Sequence, residues 1–235
     1  MKLKYIILAL LLTQLNTKDL NAQNWSDFAN TSRYEKANLE LKLHVKSKNR
    51  VVFMGNSITE GWVGLRPEYF KNKDYINRGI SGQTTPQMLL RFRQDVIDLN
   101  PKVVVILAGT NDIAGNNGYT SLETIIGNIK SMAEVAHGNG IKVIISSIIP
   151  AIEYLWKPGL EPAPKIISIN KVLKMYAAQN NFIYLDYFSA MVDDKGGLKV
   201  PDYTAENDLV HPNKEGYLVM EILAEKAIKK ALKRH

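Results

Sequence analysis

Short apolar runs alternate with longer amphipathic stretches along most of this 235-residue chain. Four runs have the length and the β-branched content of strands, namely residues 51–54, 103–107, 143–148 and 182–185, and residues 75–77 form a weaker candidate. The strong runs are apolar at successive positions, which is typical of strands that are buried on both faces. The pattern therefore predicts a parallel sheet that is covered on both sides.

The stretches between these runs carry apolar residues at helical spacing. In one of them Leu122, Ile125 and Ile129 share a face, residues 120–123 read as a capping box, and Gly138 marks the predicted end. Similar faces recur within residues 89–99, 166–177 and 220–231. Helices that separate the strands of a parallel sheet must cover its two faces, so we predict a single α/β domain. We also predict an outer helix within residues 25–48.

The first 22 residues have the pattern of a secretory signal peptide. Lys2 and Lys4 precede an apolar run over residues 5–12, and Ala22 is the small residue after which cleavage is favoured. This run is well short of the ~20 residues that cross a bilayer, although a retained anchor is the alternative. With no cysteine after the run, a lipid anchor is not expected. We expect export to the periplasm or beyond, no stable membrane anchor, and one domain over residues 23–235.

Composition excludes several kinds of chemistry. The absence of cysteine excludes thiol nucleophiles, disulfides and iron–sulfur clusters, and four histidines leave little material for a multi-histidine metal site. The net charge is +7, or +5 without residues 1–22. The basic residues are scattered, and their one dense run, residues 226–234, is typical of a solvent-exposed helix end. We therefore expect no metal, no other cofactor and no nucleic-acid partner.

Four polar clusters stand where a predicted strand ends or where the last helix begins. They are residues 55–62, 77–85, 108–112 and 208–213. Each alone has an ordinary structural explanation, such as a helix cap, a turn, an Asx-turn or a surface histidine. Active sites of open α/β sheets nevertheless lie beyond the carboxyl ends of the strands, where one cleft would gather all four clusters. Together they offer a hydroxyl nucleophile, a base with an orienting carboxylate, and oxyanion donors.

In this order, four blocks within the clusters resemble those of the SGNH/GDSL hydrolase superfamily of esterases and lipases. The blocks are Gly55-Asn56-Ser57-Ile58, Gly79-Ile80-Ser81-Gly82, Gly109-Thr110-Asn111-Asp112 and Asp208-Leu209-Val210-His211. The resemblance spans about residues 50–232. It implies a flavodoxin-like three-layer α/β/α sandwich with a five-stranded parallel sheet.

The resemblance also implies a role for each matching residue. Ser57 corresponds to the nucleophile, His211 to the general base, and Asp208 to the residue that orients the histidine. The backbone N–H groups of Ser57 and Gly82 and the side-chain amide of Asn111 correspond to the oxyanion hole. An acyl-serine mechanism follows, in which no metal or cofactor takes part.

One position departs from the pattern of the superfamily, because its first block usually reads Gly-Asp-Ser. Asn56 stands in the place of the aspartate. An asparagine keeps the shape and still accepts hydrogen bonds from backbone N–H groups, so we expect activity to survive. The departure bears on which subfamily the chain resembles, and residues 56–62 together with residues 109–112 look like bacterial members near the platelet-activating-factor acetylhydrolase branch. Such neighbours are often acetylesterases, many of which act on carbohydrate.

The resemblance implies that the protein is a short-chain serine esterase, and we favour an acetyl ester on a carbohydrate as its substrate. Trp62 and Trp156 are candidates for lining the substrate cleft, although aromatic residues at such positions are at least as often part of a core. The alternatives are an acyl hydrolase of the lysophospholipase or thioesterase type and a non-catalytic binding protein on the same fold. The binding protein would be expected to lack one of the matching residues, and none is missing.

Overall fold

The computed structural model describes residues 28–233, with the exception of residues 44–46, 48 and 72. The predicted signal peptide lies outside the described residues, as do parts of the segment 25–48. The described part of that segment contains a 3₁₀ turn, Thr31–Tyr34, followed by helix α1, Glu35–Leu43. α1 packs on the outside of the domain, where Asn38 is its buried residue.

Parallel strands form one twisted layer in the described part of the chain. They are β1 (Val51–Gly55), β2 (Tyr75–Gly79), β3 (Val103–Leu107), β4 (Lys142–Ser146) and β5 (Ile183–Leu185). The strand order is β2-β1-β3-β4-β5, and each neighbouring pair is parallel. Every residue of β1 and β3 is buried. The predicted parallel sheet is confirmed, and the weakest candidate strand runs two residues further than predicted, to Gly79.

Helices cover both faces of this sheet. They are α2 (Ser57–Leu65), α3 (Pro67–Lys71), α4 (Thr85–Asp95), α5 (Thr110–Ile113), α6 (Leu122–Gly138), α7 (Pro162–Gln179), α8 (Tyr187–Met191) and α9 (Lys214–Lys233). α6 contacts α4 and α7 in one layer, and α9 contacts α2 and α8 in the other. The predicted α/β/α sandwich is therefore confirmed.

Two helix ends differ from the sequence-based expectation. The helix predicted across residues 89–99 stops as an α-helix at Asp95 and continues as a 3₁₀ turn, Ile97–Leu99, before Asn100 takes a left-handed conformation. The N-cap of α6 is Ser121, whose hydroxyl accepts a hydrogen bond from the Thr124 N–H at 3.2 Å. The N-cap is therefore Ser121 and not Thr120, so the helix begins one residue later than the predicted capping box places it. Serine and threonine both cap helices well.

Gly79 lets the end of β2 lie directly against the first turn of α2. A Cβ atom at this position would stand 2.2 Å from the backbone nitrogen of Glu60 and 2.7 Å from the carbonyl oxygen of Asn56. Both neighbours are backbone atoms, which cannot rotate away as a side chain can. The close approach fixes the place of α2 relative to the end of β2.

We predict that Gly79→Ala lowers the free energy of unfolding by about 1–3 kcal/mol, because the added methyl group forces the backbones of β2 and α2 apart. Gly127→Ala is the matched control. This glycine lies within α6 with nothing within 4 Å of an added Cβ, so the same change is expected to stabilise the protein by about 0.5–1 kcal/mol. Urea unfolding of both variants measures the difference, and equal effects would contradict the close approach.

Candidate active site

Ser57 is the first residue of α2 and follows the end of β1 by two positions. Asn56 is the N-cap of this helix, and its side-chain oxygen accepts a hydrogen bond from the Ile58 N–H at 3.0 Å. The expected acceptor role of Asn56 is thus confirmed, and the cap needs no negative charge. The Ser57 hydroxyl stands at the positive end of α2, where the helix dipole favours negative charge.

His211 lies within hydrogen-bond distance of Ser57, although 154 residues separate them. The Ser57 Oγ atom is 2.9 Å from Nε2 of His211. On the other side of the ring, Nδ1 is 2.9 Å and 3.0 Å from the two carboxylate oxygens of Asp208. A serine, a histidine and an aspartate in such a chain can move a proton from the hydroxyl to the imidazole.

The loop before α9 shapes the Asp208–His211 pair. Oδ1 of Asp208 also accepts hydrogen bonds from the backbone N–H groups of Val210, at 3.1 Å, and His211, at 2.9 Å. Leu209, between Asp208 and Val210, has a φ of 66°, a left-handed conformation that is rare for a leucine. The turn folds His211 back over the carboxylate, and the Thr204 hydroxyl donates to the His211 carbonyl at 2.8 Å.

The predicted oxyanion residues Gly82 and Asn111 belong to adjoining segments. Nδ2 of Asn111 donates a hydrogen bond to the carbonyl oxygen of Gln83 at 2.9 Å. Since a side-chain amide carries two N–H groups, one of them remains for another acceptor. Gly82 has a φ of 76°, in the left-handed region. Residues 79–84, which we term the oxyanion loop, are therefore tied directly to Asn111.

Asp112 belongs to one of the four polar clusters and is a buried carboxylate for which the sequence indicated no role. It accepts hydrogen bonds from the N–H of Thr85 at 3.0 Å and from its hydroxyl at 2.6 Å. Burial raises the pKa of Asp112, and the two bonds from Thr85 oppose this shift only in part. The contact joins the segment after β3 to the first residue of α4, and hence to the end of the oxyanion loop.

Arg91 lies directly beneath the site and was not identified from the sequence. Its guanidinium is fully buried and donates to the carbonyl oxygens of Gly55 at 3.1 Å and Arg78 at 2.9 Å, as well as to Asp95 at 2.8 Å. Burial lowers the pKa of Arg91, and Asp95 counteracts that shift. Arg91 thus holds the carboxyl ends of β1 and β2 in place. Its position in an amphipathic helix did not indicate burial, because the arginine residues of such helices usually face solvent.

Trp62 was expected as a candidate for the substrate cleft, and the structure corrects this expectation. The side chain is 1% exposed and stacks between Tyr69, at 5.2 Å, and Tyr217, at 5.4 Å between ring centroids. Its indole N–H donates to the buried carboxylate of Glu221 at 3.3 Å. Trp62 is therefore a core residue that joins α2 to α9.

Trp156, the other aromatic candidate, stands beside the site. Its ring centroid is 6.5 Å from that of His211, and the side chain is 48% exposed. It stacks on the buried ring of Tyr154, with the centroids 5.1 Å apart. An indole supported from below and open to solvent offers a flat apolar surface to a ligand next to His211.

Two further features bear on cofactors and membranes. Among residues 28–233 as described, no three His, Asp or Glu side chains come together in the manner of a metal site. In the same part of the chain, no helix combines the length and the apolar character needed to cross a bilayer.

Comparison with known proteins identifies related sequences and structures. The model of the GDSL-like lipase/acylhydrolase family matches residues 53–219. A crystal structure from Bacteroides fragilis, assigned as an acylhydrolase, is 51% identical with a TM-score of 0.84, covering 88% of this chain and 99% of the other. A GDSL-like lipase from Bacteroides thetaiotaomicron is 50% identical with a TM-score of 0.82, covering 87% and 99%.

Curated relatives match over shorter segments. The uncharacterized lipoprotein YqeF of Bacillus subtilis is 36% identical over 120 residues, which is 44% of this chain and 49% of the relative. Esterase TesA of Pseudomonas aeruginosa is 30% identical over 99 residues, which is 40% of this chain and 48% of the relative. The chain thus spans about half the length of the curated relatives it matches.

We predict that the two tryptophans contribute very different amounts to stability. Trp62→Ala should lower the free energy of unfolding by about 3–5 kcal/mol, because it removes a buried ring from a packed aromatic cluster. Trp156→Ala should cost less than about 1 kcal/mol, because this side chain is half exposed. Chemical unfolding of both variants measures the contrast. A large loss of stability in Trp156→Ala, or none in Trp62→Ala, would contradict the assignment of Trp62 to the core.

Proposed function

Because this chain belongs to the GDSL-like lipase/acylhydrolase family, we propose that it is a serine esterase that hydrolyses short-chain O-esters, acetyl esters above all. The observation that carries this proposal is the 2.9 Å distance between Ser57 Oγ and His211 Nε2. A serine hydroxyl is a weak nucleophile unless a base stands within hydrogen-bond reach. The same distance argues against a non-catalytic binding protein, which has no need of an activated serine.

In the first step, Ser57 Oγ attacks the carbonyl carbon of the ester while His211 Nε2 takes the hydroxyl proton. Asp208, bonded to Nδ1, holds the imidazole in the required tautomer and stabilises the imidazolium that forms. The tetrahedral intermediate then collapses. His211 returns the proton to the leaving alcohol, and the acyl group stays on Ser57.

The carbonyl oxygen becomes negatively charged in the tetrahedral intermediate. The proposed donors to this oxygen are the backbone N–H groups of Ser57 and Gly82 and the second N–H of the Asn111 amide. Removal of one such donor typically costs 10²–10³-fold in rate. The start of α2 adds the positive end of its dipole to the same place.

In the second step, water replaces the alcohol. His211 takes a proton from the water molecule, whose oxygen attacks the acyl carbon, and the carboxylic acid leaves as Ser57 regains its proton. The same three groups and the same donors act in both steps. No step of this mechanism uses a metal ion or another cofactor.

For the alcohol part of the substrate we propose a carbohydrate. The exposed indole of Trp156 beside His211 supports this choice, because a flat aromatic face can cover the apolar face of a sugar ring. The signal-peptide pattern of residues 1–22 supports export to the periplasm or the cell exterior, where acetylated glycans are accessible. An acyl hydrolase acting on lysophospholipids or thioesters is the alternative for the same catalytic residues.

We predict that Ser57→Ala reduces the turnover of p-nitrophenyl acetate at least ~10³-fold, because the attacking oxygen is lost. Ser168→Ala is the matched control, since Ser168 lies on the exposed side of α7 and bonds only to the Pro164 carbonyl among its described partners. This variant should keep the wild-type rate. Turnover that survives in Ser57→Ala would require a different nucleophile and would contradict the proposed function.

The proposed acyl preference predicts that kcat/KM is highest for acetyl and falls along a series of acetyl, butyryl and octanoyl esters of p-nitrophenol. Acetylated xylo-oligosaccharides should be deacetylated as well, with acetate release as the measurement. Trp156→Ala should raise KM for the oligosaccharide by about 3–10-fold, which corresponds to about 1 kcal/mol of lost binding free energy. The same change should leave KM for p-nitrophenyl acetate unchanged. A maximum at octanoyl would favour the lipid-type alternative.

A further inference from the structure

The N-terminal segment 28–43, which we term the strap, contacts the oxyanion loop although it precedes the family match at residue 53. The Tyr34 hydroxyl donates a hydrogen bond to the carbonyl oxygen of Gly79, the first residue of that loop. At the other end of the loop, Nε2 of Gln83 donates to the Ala29 carbonyl at 2.6 Å. The strap therefore binds the loop on both sides of Gly82.

Gln83 connects the strap to the proposed oxyanion donors. Its side chain is buried, with Nε2 on Ala29 and Oε1 accepting from Nε of Arg91 at 2.5 Å. Its backbone carbonyl accepts from the Asn111 amide at 2.9 Å. One residue, next to Gly82 in the chain, thus transmits the position of the strap to Asn111.

Glu60 provides a second link, through a bridging carboxylate. Arg33 of the strap donates to Oε1 of Glu60 at 2.9 Å, and Ser81 of the oxyanion loop donates to Oε2 through its N–H at 2.8 Å and its hydroxyl at 2.5 Å. Burial acts to raise the pKa of Glu60, but the bonds from Ser81 and Arg33 outweigh it and hold that pKa below its ordinary value. The carboxylate is therefore charged at neutral pH.

The strap itself is anchored in the interior of the domain. Asn38 of α1 is buried, donates to Asp95 at 2.7 Å, and accepts from two guanidinium nitrogens of Arg78 at 2.9 Å and 2.7 Å. The ring of Tyr34 lies 4.6 Å from the same guanidinium. These contacts attach α1 to the buried charged groups of the domain interior.

From these contacts we infer that the strap is part of the catalytic apparatus, with Tyr34 and Gln83 as positioning residues that hold Gly82 and Asn111 at the oxyanion. The inference rests on the proposed esterase function and adds to it a segment that lies outside the matched region. Neither residue touches the reacting atoms; each acts through the oxyanion loop.

A strap that positions the oxyanion donors affects the kinetics in a way that a purely structural strap does not. Oxyanion donors act on charge that develops only in the transition state, and they must lie about 3 Å from it. A loosened loop therefore loses transition-state stabilisation without losing contacts to the ground-state ester. Such a change lowers kcat and kcat/KM by the same factor and leaves KM unchanged.

Tyr34→Phe and Gln83→Leu test the inference in the full-length protein with p-nitrophenyl acetate. We expect kcat to fall about 3–10-fold in the first and at least about 10-fold in the second, with KM within about twofold of the wild type, as for small misplacements of catalytic groups. Tyr176→Phe is the matched control. Its hydroxyl bonds to Glu134 at 2.8 Å on the far helices α7 and α6, so its loss should leave kcat unchanged.

Arg33→Met tests the strap at an exposed residue, because Tyr34→Phe and Gln83→Leu change buried or partly buried side chains and can also destabilise the fold. Arg33 is half exposed, and the change removes its ion pair with Glu60 while the described core contacts remain. We expect a thermal unfolding midpoint close to that of the wild type and a kcat about 2–5-fold lower, because a partly exposed ion pair contributes little to stability. An unchanged kcat in Arg33→Met and Tyr34→Phe would overturn the inference, as would a change confined to KM.

Ser57→Ala in the same assay separates this inference from the function on which it rests. Wild-type turnover that persists in Ser57→Ala contradicts the proposed function and the strap's role together. An inactive Ser57→Ala beside fully active Tyr34→Phe and Arg33→Met contradicts the strap's role alone.

Discussion

The arrangement of the candidate site depends on one constraint, which is that all strands of a parallel sheet end at the same edge. β1 lies between β2 and β3, so the strand order alone makes neighbours of the polar segments that follow these three strands, and hydrogen bonds such as the one from Asn111 to Gln83 then join them. Ser57, Gly82 and Asn111 come from those three segments. This is the edge at which ligands bind in open α/β sheets, next to the point where the strand order reverses.

His211 does not follow a strand, and a different contact brings it to this edge. The loop that carries it leads into α9, which packs against α2 through the aromatic stack of Trp62 and Tyr217. The Tyr217 hydroxyl donates to the carbonyl oxygen of Ile58 at 2.7 Å, one residue beyond Ser57. Packing between these two helices thus fixes the distance between Ser57 and His211, the proposed nucleophile and base.

Buried charge forms the floor of the site. Arg91 and Arg78 are both buried, with Asp95 as the carboxylate close to them, and burial lowers the pKa of Arg78 to about 10. Buried guanidinium groups are costly unless their donors are satisfied. Here most of their partners are backbone carbonyls and Asn38, so they hold the carboxyl ends of β1 and β2, the oxyanion loop and the strap in one geometry.

The sequence by itself determined the parallel sheet, the covering helices and the four clusters, because periodicity and strand-end position are local properties of the chain. It also predicted that Asn56 accepts hydrogen bonds from backbone N–H groups, as it does from Ile58. The tertiary structure decided which side of α2 is buried, and hence whether Trp62 faces the cleft or the core. Trp62 is five residues after Ser57, about 140° around the same helix at 100° per residue, and this turns it from the cleft into the core. The role of Arg91, Gln83 and Tyr34 was likewise decided by contacts between distant segments, which no local pattern encodes.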